Sequence, residues 1–197
     1  MIKIIATLLT IFAFSSSHAK KVNVGIILGF TGPIESLTPD MAAGAELAFS
    51  EASNSGKLLN GSKINVIRAD STCIDSAAAS SAAEGLISQG VTAIMGADCS
   101  GVTGAILSNV AVPNGVPMIS PSATSPGLTT AADNGLFFRT APSDARGGEV
   151  LADITADRGI TSVAITYVNT DYGVGLADVY EAAAKARGIE VTAKTTP

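Results

Sequence analysis

The chain alternates short apolar runs with longer helical patterns. Val22–Leu28 is a near-continuous apolar run, the pattern of a strand buried on both faces. Pro39 to Ser53 reads as a helix, with Pro-Asp in its first turn and Gly56 beyond its end. Lys63–Ala69 is a second strand. Asp75 caps a helix that runs to Gln89 and is stopped by Gly90. Thr92–Met95 is a third strand, and Ser100 opens a helix reaching Val110. Asn114-Gly115 is a turn, followed by strands at Val116–Ile119 and Leu136–Arg139. Ser143 or Asp144 starts a helix to Asp157. Ser162–Val168 is a sixth strand, Gly175–Arg187 a helix, and Ile189–Ala193 the start of a seventh strand.

Regular strand–helix alternation with crossovers of this length predicts an α/β fold with a doubly wound parallel sheet. Residues 20–140 hold enough strands for one complete lobe. Residues 141–197 hold one strand and the start of another, so they read as the beginning of a second α/β lobe, left incomplete. Ligands of such sheets bind beyond the carboxyl ends of the strands. That directs attention to Gly29–Pro39, Ala97–Val102, Ser120–Leu128 and Asn169–Gly175. Ser120–Gly135 is the longest loop, and long loops in compact domains are often functional.

The first 19 residues stand apart from this pattern. Lys3 precedes an apolar stretch, Ile4–Phe14, and Ser17-His18-Ala19 supplies small residues at a cleavage site. The stretch is about half the roughly 20 apolar residues a membrane helix needs. It predicts a cleaved secretory signal peptide. Its removal takes one lysine and no acid, so the net charge of −5 becomes −6.

Composition narrows the function. The 197 residues are 47% hydrophobic and 15% charged, which excludes a disordered chain. The acidic balance gives no reason to hold a phosphate backbone, so nucleic acid is not an expected partner. The only histidine, His18, lies in the signal segment. Without it the mature chain has no histidine for general-base catalysis, a Ser-His-Asp triad or zinc ligation. No loop matches the dinucleotide or P-loop glycine patterns, and no cofactor or metal is implied.

The loops carry polar groups without cationic side chains. Ser100 sits at a predicted helix start, where its hydroxyl and free backbone N–H groups can receive a carboxylate, or where it simply caps the helix. Ser120-Pro121-Ser122-Ala123-Thr124 offers hydroxyls and N–H groups on a proline-stiffened loop. Tyr172 in Asn169-Thr170-Asp171-Tyr172-Gly173 stands at a strand end, able to present its ring to a ligand or to stand as an ordinary loop tyrosine. Cys73 and Cys99, in an exported chain, suggest one disulfide, which requires them to sit at adjacent strand ends; two separate buried thiols are the alternative.

These residues together resemble a known family. Gly29-Phe30-Thr31-Gly32-Pro33, Gly44-Ala45-Glu46-Leu47-Ala48, Asp70-Ser71-Thr72-Cys73 and Cys99-Ser100 match its pattern in order. So do Ile119-Ser120-Pro121-Ser122-Ala123-Thr124, Phe138-Arg139-Thr140 and Asp171-Tyr172-Gly173-Val174-Gly175-Leu176-Ala177. From Val22 to Lys194 the chain is similar to the periplasmic branched-chain amino-acid binding proteins of ABC transporters, of the leucine/isoleucine/valine type, with the type I periplasmic binding protein fold.

The resemblance implies a periplasmic protein that binds an amino acid between two lobes, without catalysis, and hands it to a membrane permease. It implies a disulfide Cys73–Cys99. It puts the ligand's α-carboxylate on Ser100 and Thr124 with backbone groups of Ser122 and Thr124. It puts Tyr172 on the cleft wall and Ser36 and Leu37 beside the ligand side chain. An extracellular ligand-sensing domain would use the same lobes. Asp98 departs from the family pattern and predicts a polar ligand group near it. Family members are about twice this long, so the chain is expected to be C-terminally truncated, without the later groups that hold the α-ammonium.

Overall fold

The structure, a computed structural model, describes residues 20–197; the predicted signal peptide at residues 1–19 lies outside the described residues. Strands β1 (Lys21–Leu28), β2 (Lys63–Asp70), β3 (Val91–Gly96), β4 (Met118–Ser120) and β5 (Phe137–Arg139) form one parallel sheet in the order β2-β1-β3-β4-β5. Helices α1 (Thr38–Asn54), α2 (Ser76–Ser88) and α3 (Ser100–Ile106) connect the first four strands.

Burial on both faces explains why β1 is apolar from Val24 to Leu28. Ile26 and Leu28 face Ala42, Met41 and Phe49 of α1. Ile27 faces the other way, into a core with Ala83 and Leu86 of α2 and Val102 and Ile106 of α3. Each of these three β1 side chains is completely buried, worth roughly 1.5–3 kcal/mol apiece relative to exposure. The doubly wound arrangement is thus the one read from the sequence.

Local signals account for the element ends. The Asp75 carboxylate accepts from the N–H groups of Ala77 and Ala78, both at 2.9 Å, and caps α2. The helix predicted from Ser100 to Val110 is regular only to Ile106. It continues as a π-helical turn, Leu107–Ala111, and a last turn, α4 (Val112–Asn114), where Pro113 has no N–H to donate. β4 starts at Met118 rather than Val116, because the Val116 N–H still bonds back to Ala111 at the helix end.

Beyond β5 the chain builds a second unit. Helix α5 (Ala145–Asp157) packs on α6 (Asp171–Ala186), and β6 (Ser162–Thr166) pairs in parallel with β7 (Glu190–Thr195). These two strands form a sheet of their own. Helix α6 starts at Asp171, four residues before the predicted start, and β6 ends two residues earlier than predicted. The Thr170 hydroxyl accepts from the Gly173 N–H at 3.2 Å and caps the helix there. Gly173 allows the tight entry, since a Cβ on it would lie 2.1 Å from the Val168 carbonyl oxygen.

Candidate functional site

Parallel pairing brings the carboxyl ends of β1, β3 and β4 to one edge, with β1 beside β3 and β3 beside β4. The disulfide Cys73–Cys99 ties this edge together, joining the loop after β2 to the start of α3 across a Cα–Cα distance of 5.2 Å. The paired reading of the two cysteines therefore holds.

Asp98 is the hub behind these loops. Its carboxylate accepts from Gly29 N–H at 2.7 Å, Cys99 N–H at 2.9 Å and the Ser71 hydroxyl at 3.3 Å. It is 2% exposed. This corrects the expectation that Asp98 faces a polar ligand group: three donors hold it inside the fold, where it satisfies the ends of three loops. Asp70 does similar work at the rim. Burial pushes its carboxyl up, but hydrogen bonds from the Thr31 hydroxyl and from the N–H groups of Thr72 and Thr31 outweigh this and hold it below the usual carboxylate range.

The loop after β4 is specified peptide by peptide. The Ser120 hydroxyl, itself buried, accepts from the N–H groups of Ser122 at 3.3 Å and Ala123 at 2.9 Å. The Ser125 N–H donates to the Ser100 hydroxyl at 3.1 Å. From Ser122 to Ser125, only the Thr124 N–H has no acceptor among the described residues. The carbonyls are held as well. Arg139 of β5 donates to those of Ala123 at 3.1 Å and Ser125 at 2.9 Å, and the Asp144 N–H donates to that of Thr124 at 3.0 Å. The Thr124 hydroxyl donates to the Asp144 carboxylate at 2.6 Å.

Ser100 is the first residue of α3 rather than its cap, which is Cys99. It is 3% exposed, and its hydroxyl keeps a proton to donate after accepting from Ser125. The α3 N-terminus adds backbone N–H groups on the same side. Ser100, Ser122 and Thr124 are thus brought into one cluster. The Ser122 hydroxyl is spent on the Asp98 carbonyl at 3.0 Å, and its N–H on Ser120.

Tyr172 lies in the first turn of α6, not on a loop, and is 43% exposed. It lines a groove of about 260 Å³ with Val168, Leu176 and Tyr180. The neighbouring Asp171 is what meets the first unit: its carbonyl accepts from the Ser125 hydroxyl at 3.2 Å. Gly175 makes this approach possible, because a Cβ there would lie 2.9 Å from the Ser125 Oγ. A cavity of about 520 Å³ runs between Ser100, Ser125 and Leu128 on one side and Asp171 and Val174 on the other. Leu37 precedes α1 in the loop after β1 and is 61% exposed.

Two residues of the cluster escape a reading by loops alone, Asp144 and Arg139, while Ser125 lies within the Ser120–Leu128 loop but is not singled out there. Arg139 stood in the Phe138-Arg139-Thr140 motif, the one signal that could have found it. Asp144 reads in sequence only as a helix start, since nothing there shows its contact with Thr124.

The family model described as "Periplasmic binding protein" matches residues 21–197. Over 177 residues the chain is 32% identical to Leu/Ile/Val-binding protein homolog 3 of Brucella melitensis, covering 89% of this chain and 47% of that protein. It is 32% identical over 185 residues to Leu/Ile/Val-binding protein BraC3 of Rhizobium johnstonii, covering 93% and 49%. Among solved structures, the branched-chain amino acid transporter substrate binding protein LivJ of Streptococcus pneumoniae, in complex with isoleucine, superposes with a TM-score of 0.75 at 29% identity. That match covers 90% of this chain and 50% of the other. The chain spans about half the length of the curated relatives it matches.

Proposed function

The chain belongs to the periplasmic binding protein family, and from that premise we propose that it is the ligand-capturing component of an ABC transporter, delivering an amino acid to a membrane permease. It binds and does not catalyse. Residues 20–140 serve as one lobe and residues 141–197 as part of the second, after export and removal of residues 1–19. The ligand bridges the two lobes, and closure follows from contacts that only the closed state makes. The leucine/isoleucine/valine class is the ligand class that the relatives' names support.

The observation that carries this reading is the pairing of a free donor with a carboxylate. The Thr124 N–H has no acceptor among the described residues, and the Asp144 carboxylate lies 2.6 Å from the Thr124 hydroxyl. A zwitterionic amino acid presents both complements on adjacent atoms. Its carboxylate takes the Thr124 N–H, the Ser100 hydroxyl and the N-terminal end of α3. Its ammonium takes Asp144, which supplies within this chain the acidic partner expected only from a longer one. Tyr172 closes over the ligand from the second lobe, Leu37 borders its side chain, and Ser122 holds the loop through Asp98.

Isothermal titration of the protein against the proteinogenic amino acids tests the reading. Binding of at least one aliphatic amino acid is expected, weakened about tenfold or more by Ser100→Ala combined with Thr124→Ala. Unchanged affinity in that double variant would show that the ligand sits elsewhere.

A further inference from the structure

Arg139 is half-buried, and none of the ion pairs among the described residues includes it. Its guanidinium is spent on uncharged groups of a single loop: the carbonyls of Ala123 and Ser125 and the hydroxyl of Thr129. The two carbonyls flank Thr124. One nitrogen of a charged guanidinium, Nη1, given to two main-chain oxygens is a costly choice for mere surface packing, and it dictates how the loop's peptides face.

We propose that Arg139 is the positioning residue of the carboxylate site, aiming the Thr124 N–H at the ligand by gripping the other end of the same peptide. The peptide between Ala123 and Thr124 is planar and trans, so its C=O and N–H point in opposite directions. With the Ala123 oxygen fixed 3.1 Å from Arg139, the Thr124 N–H must face away from the guanidinium. The second gripped carbonyl, of Ser125, precedes Pro126, which has no N–H. Of the two peptides that Arg139 holds, only one therefore presents a donor, and it is the donor with no acceptor among the described residues. The positive charge on the carbonyl also polarises that peptide and strengthens its N–H as a donor to an anion. The anchor is rigid: Arg139 ends β5 in register with Ser120, and the Thr140 N–H bonds the Ser120 carbonyl at 3.0 Å. Both carbonyls accept from Nη1, while Nη2 holds the Thr129 hydroxyl, so a lysine could approach the carbonyls but has no second nitrogen to tie them to Thr129.

This inference rests on the reading that the Thr124 N–H receives the ligand's carboxylate, and the test separates the two. The ¹H–¹⁵N resonance of Thr124 is followed in ligand-free wild type, Arg139→Gln and Arg139→Lys, and each is titrated with L-leucine. In R139Q the Thr124 amide proton should move upfield while amides of α1 and α2 stay in place. The Kd for L-leucine should rise about tenfold or more, with R139K intermediate. A Thr124 resonance that stays put in R139Q, with a Kd within about twofold of wild type, would overturn the proposal. If R139Q does not fold, R139K carries both readouts. If the wild type binds no amino acid, the transport reading fails, and the Thr124 resonance alone decides whether Arg139 aims the peptide.

Discussion

Asp144 grips Thr124 at two points: its N–H donates to the Thr124 carbonyl at 3.0 Å, and its carboxylate accepts from the Thr124 hydroxyl at 2.6 Å. The residues are 20 apart in sequence. Thr124 lies within the loop after β4, and Asp144 stands at the N-cap of α5. The contact therefore links the two units at the proposed ligand site and leaves a carboxylate beside an open N–H.

Asp144→Asn separates its charge from its hydrogen bonding. The amide oxygen still accepts from Thr124, so the loop keeps its shape. The ammonium of an amino acid loses a charged partner, and hydrogen bonds to charged groups are worth about 1.5–3 kcal/mol. Affinity for L-leucine should fall by about tenfold to a hundredfold. Binding of 4-methylpentanoate, which has the carboxylate and no ammonium, should not weaken. Calorimetry with both ligands is the check, and an equal loss for both would reduce Asp144 to a loop support.

The disulfide closes a loop of 26 residues in sequence separation. Constraining that loop in the unfolded chain is worth about 3.5 kcal/mol on the chain-entropy relation. Cys73→Ser with Cys99→Ser should lower the unfolding free energy by about that much in urea titration, matching the wild type under reductant. A loss well under about 1 kcal/mol would mean that the reduced unfolded chain is already constrained.

Gly96 and Gly85 make opposite predictions. Gly96 ends β3 at φ +129°, and a Cβ there would lie 2.0 Å from the Ile27 carbonyl oxygen. Neither the backbone of β1 nor that of β3 can yield without breaking their pairing. Gly96→Ala should destabilise by about 3 kcal/mol or more. Gly85 lies inside α2 with no atom within 4 Å of a Cβ. There Ala should stabilise by roughly 0.5–1 kcal/mol. Thermal unfolding of the two variants side by side decides both.

The fold was legible because its signals are local. An apolar run such as Val24–Leu28, a cap such as Asp75 and a stop such as Gly90 need only their neighbours in sequence to act. The start of α6 misleads for a related reason. Gly173 and Gly175 look like loop residues, but they are small because Val168 and Ser125 press against them from elsewhere in the fold. The proposed site divides in the same way. Ser100 and Thr124 follow from strand ends and loop chemistry. Asp98 looked like a ligand contact because sequence cannot show that Gly29, Ser71 and Cys99 converge on it. Arg139 and Asp144 act through bonds across 14 to 20 residues, which no periodicity encodes.

Acid should loosen the join between α6 and β7 before it reaches the core. Glu181 of α6 accepts from Lys185 at 2.6 Å and from Lys194 of β7 at 2.8 Å, and Lys194 also donates to Asp178. These hydrogen bonds from Lys185 and Lys194 hold the Glu181 carboxyl down to about 2, from an ordinary value of 4.5. A depressed carboxyl stabilises fully above its unfolded value and loses that contribution as pH falls through the folded one. The loss therefore runs from pH 4.5 down to about 2. Lys194 runs the other way: hydrogen bonds to Asp178 and then Glu181 raise it, so its contribution is complete below pH 10.5 and fades above. The unfolding midpoint should drop over the acid window in wild type and drop less in Glu181→Gln. Salt near 1 M, where the screening length is about 3 Å, should shrink the difference because Lys185 and Asp178 are exposed and Glu181 and Lys194 are only half-buried. Identical acid profiles for wild type and Glu181→Gln would show that the cluster forms no net tie between α6 and β7.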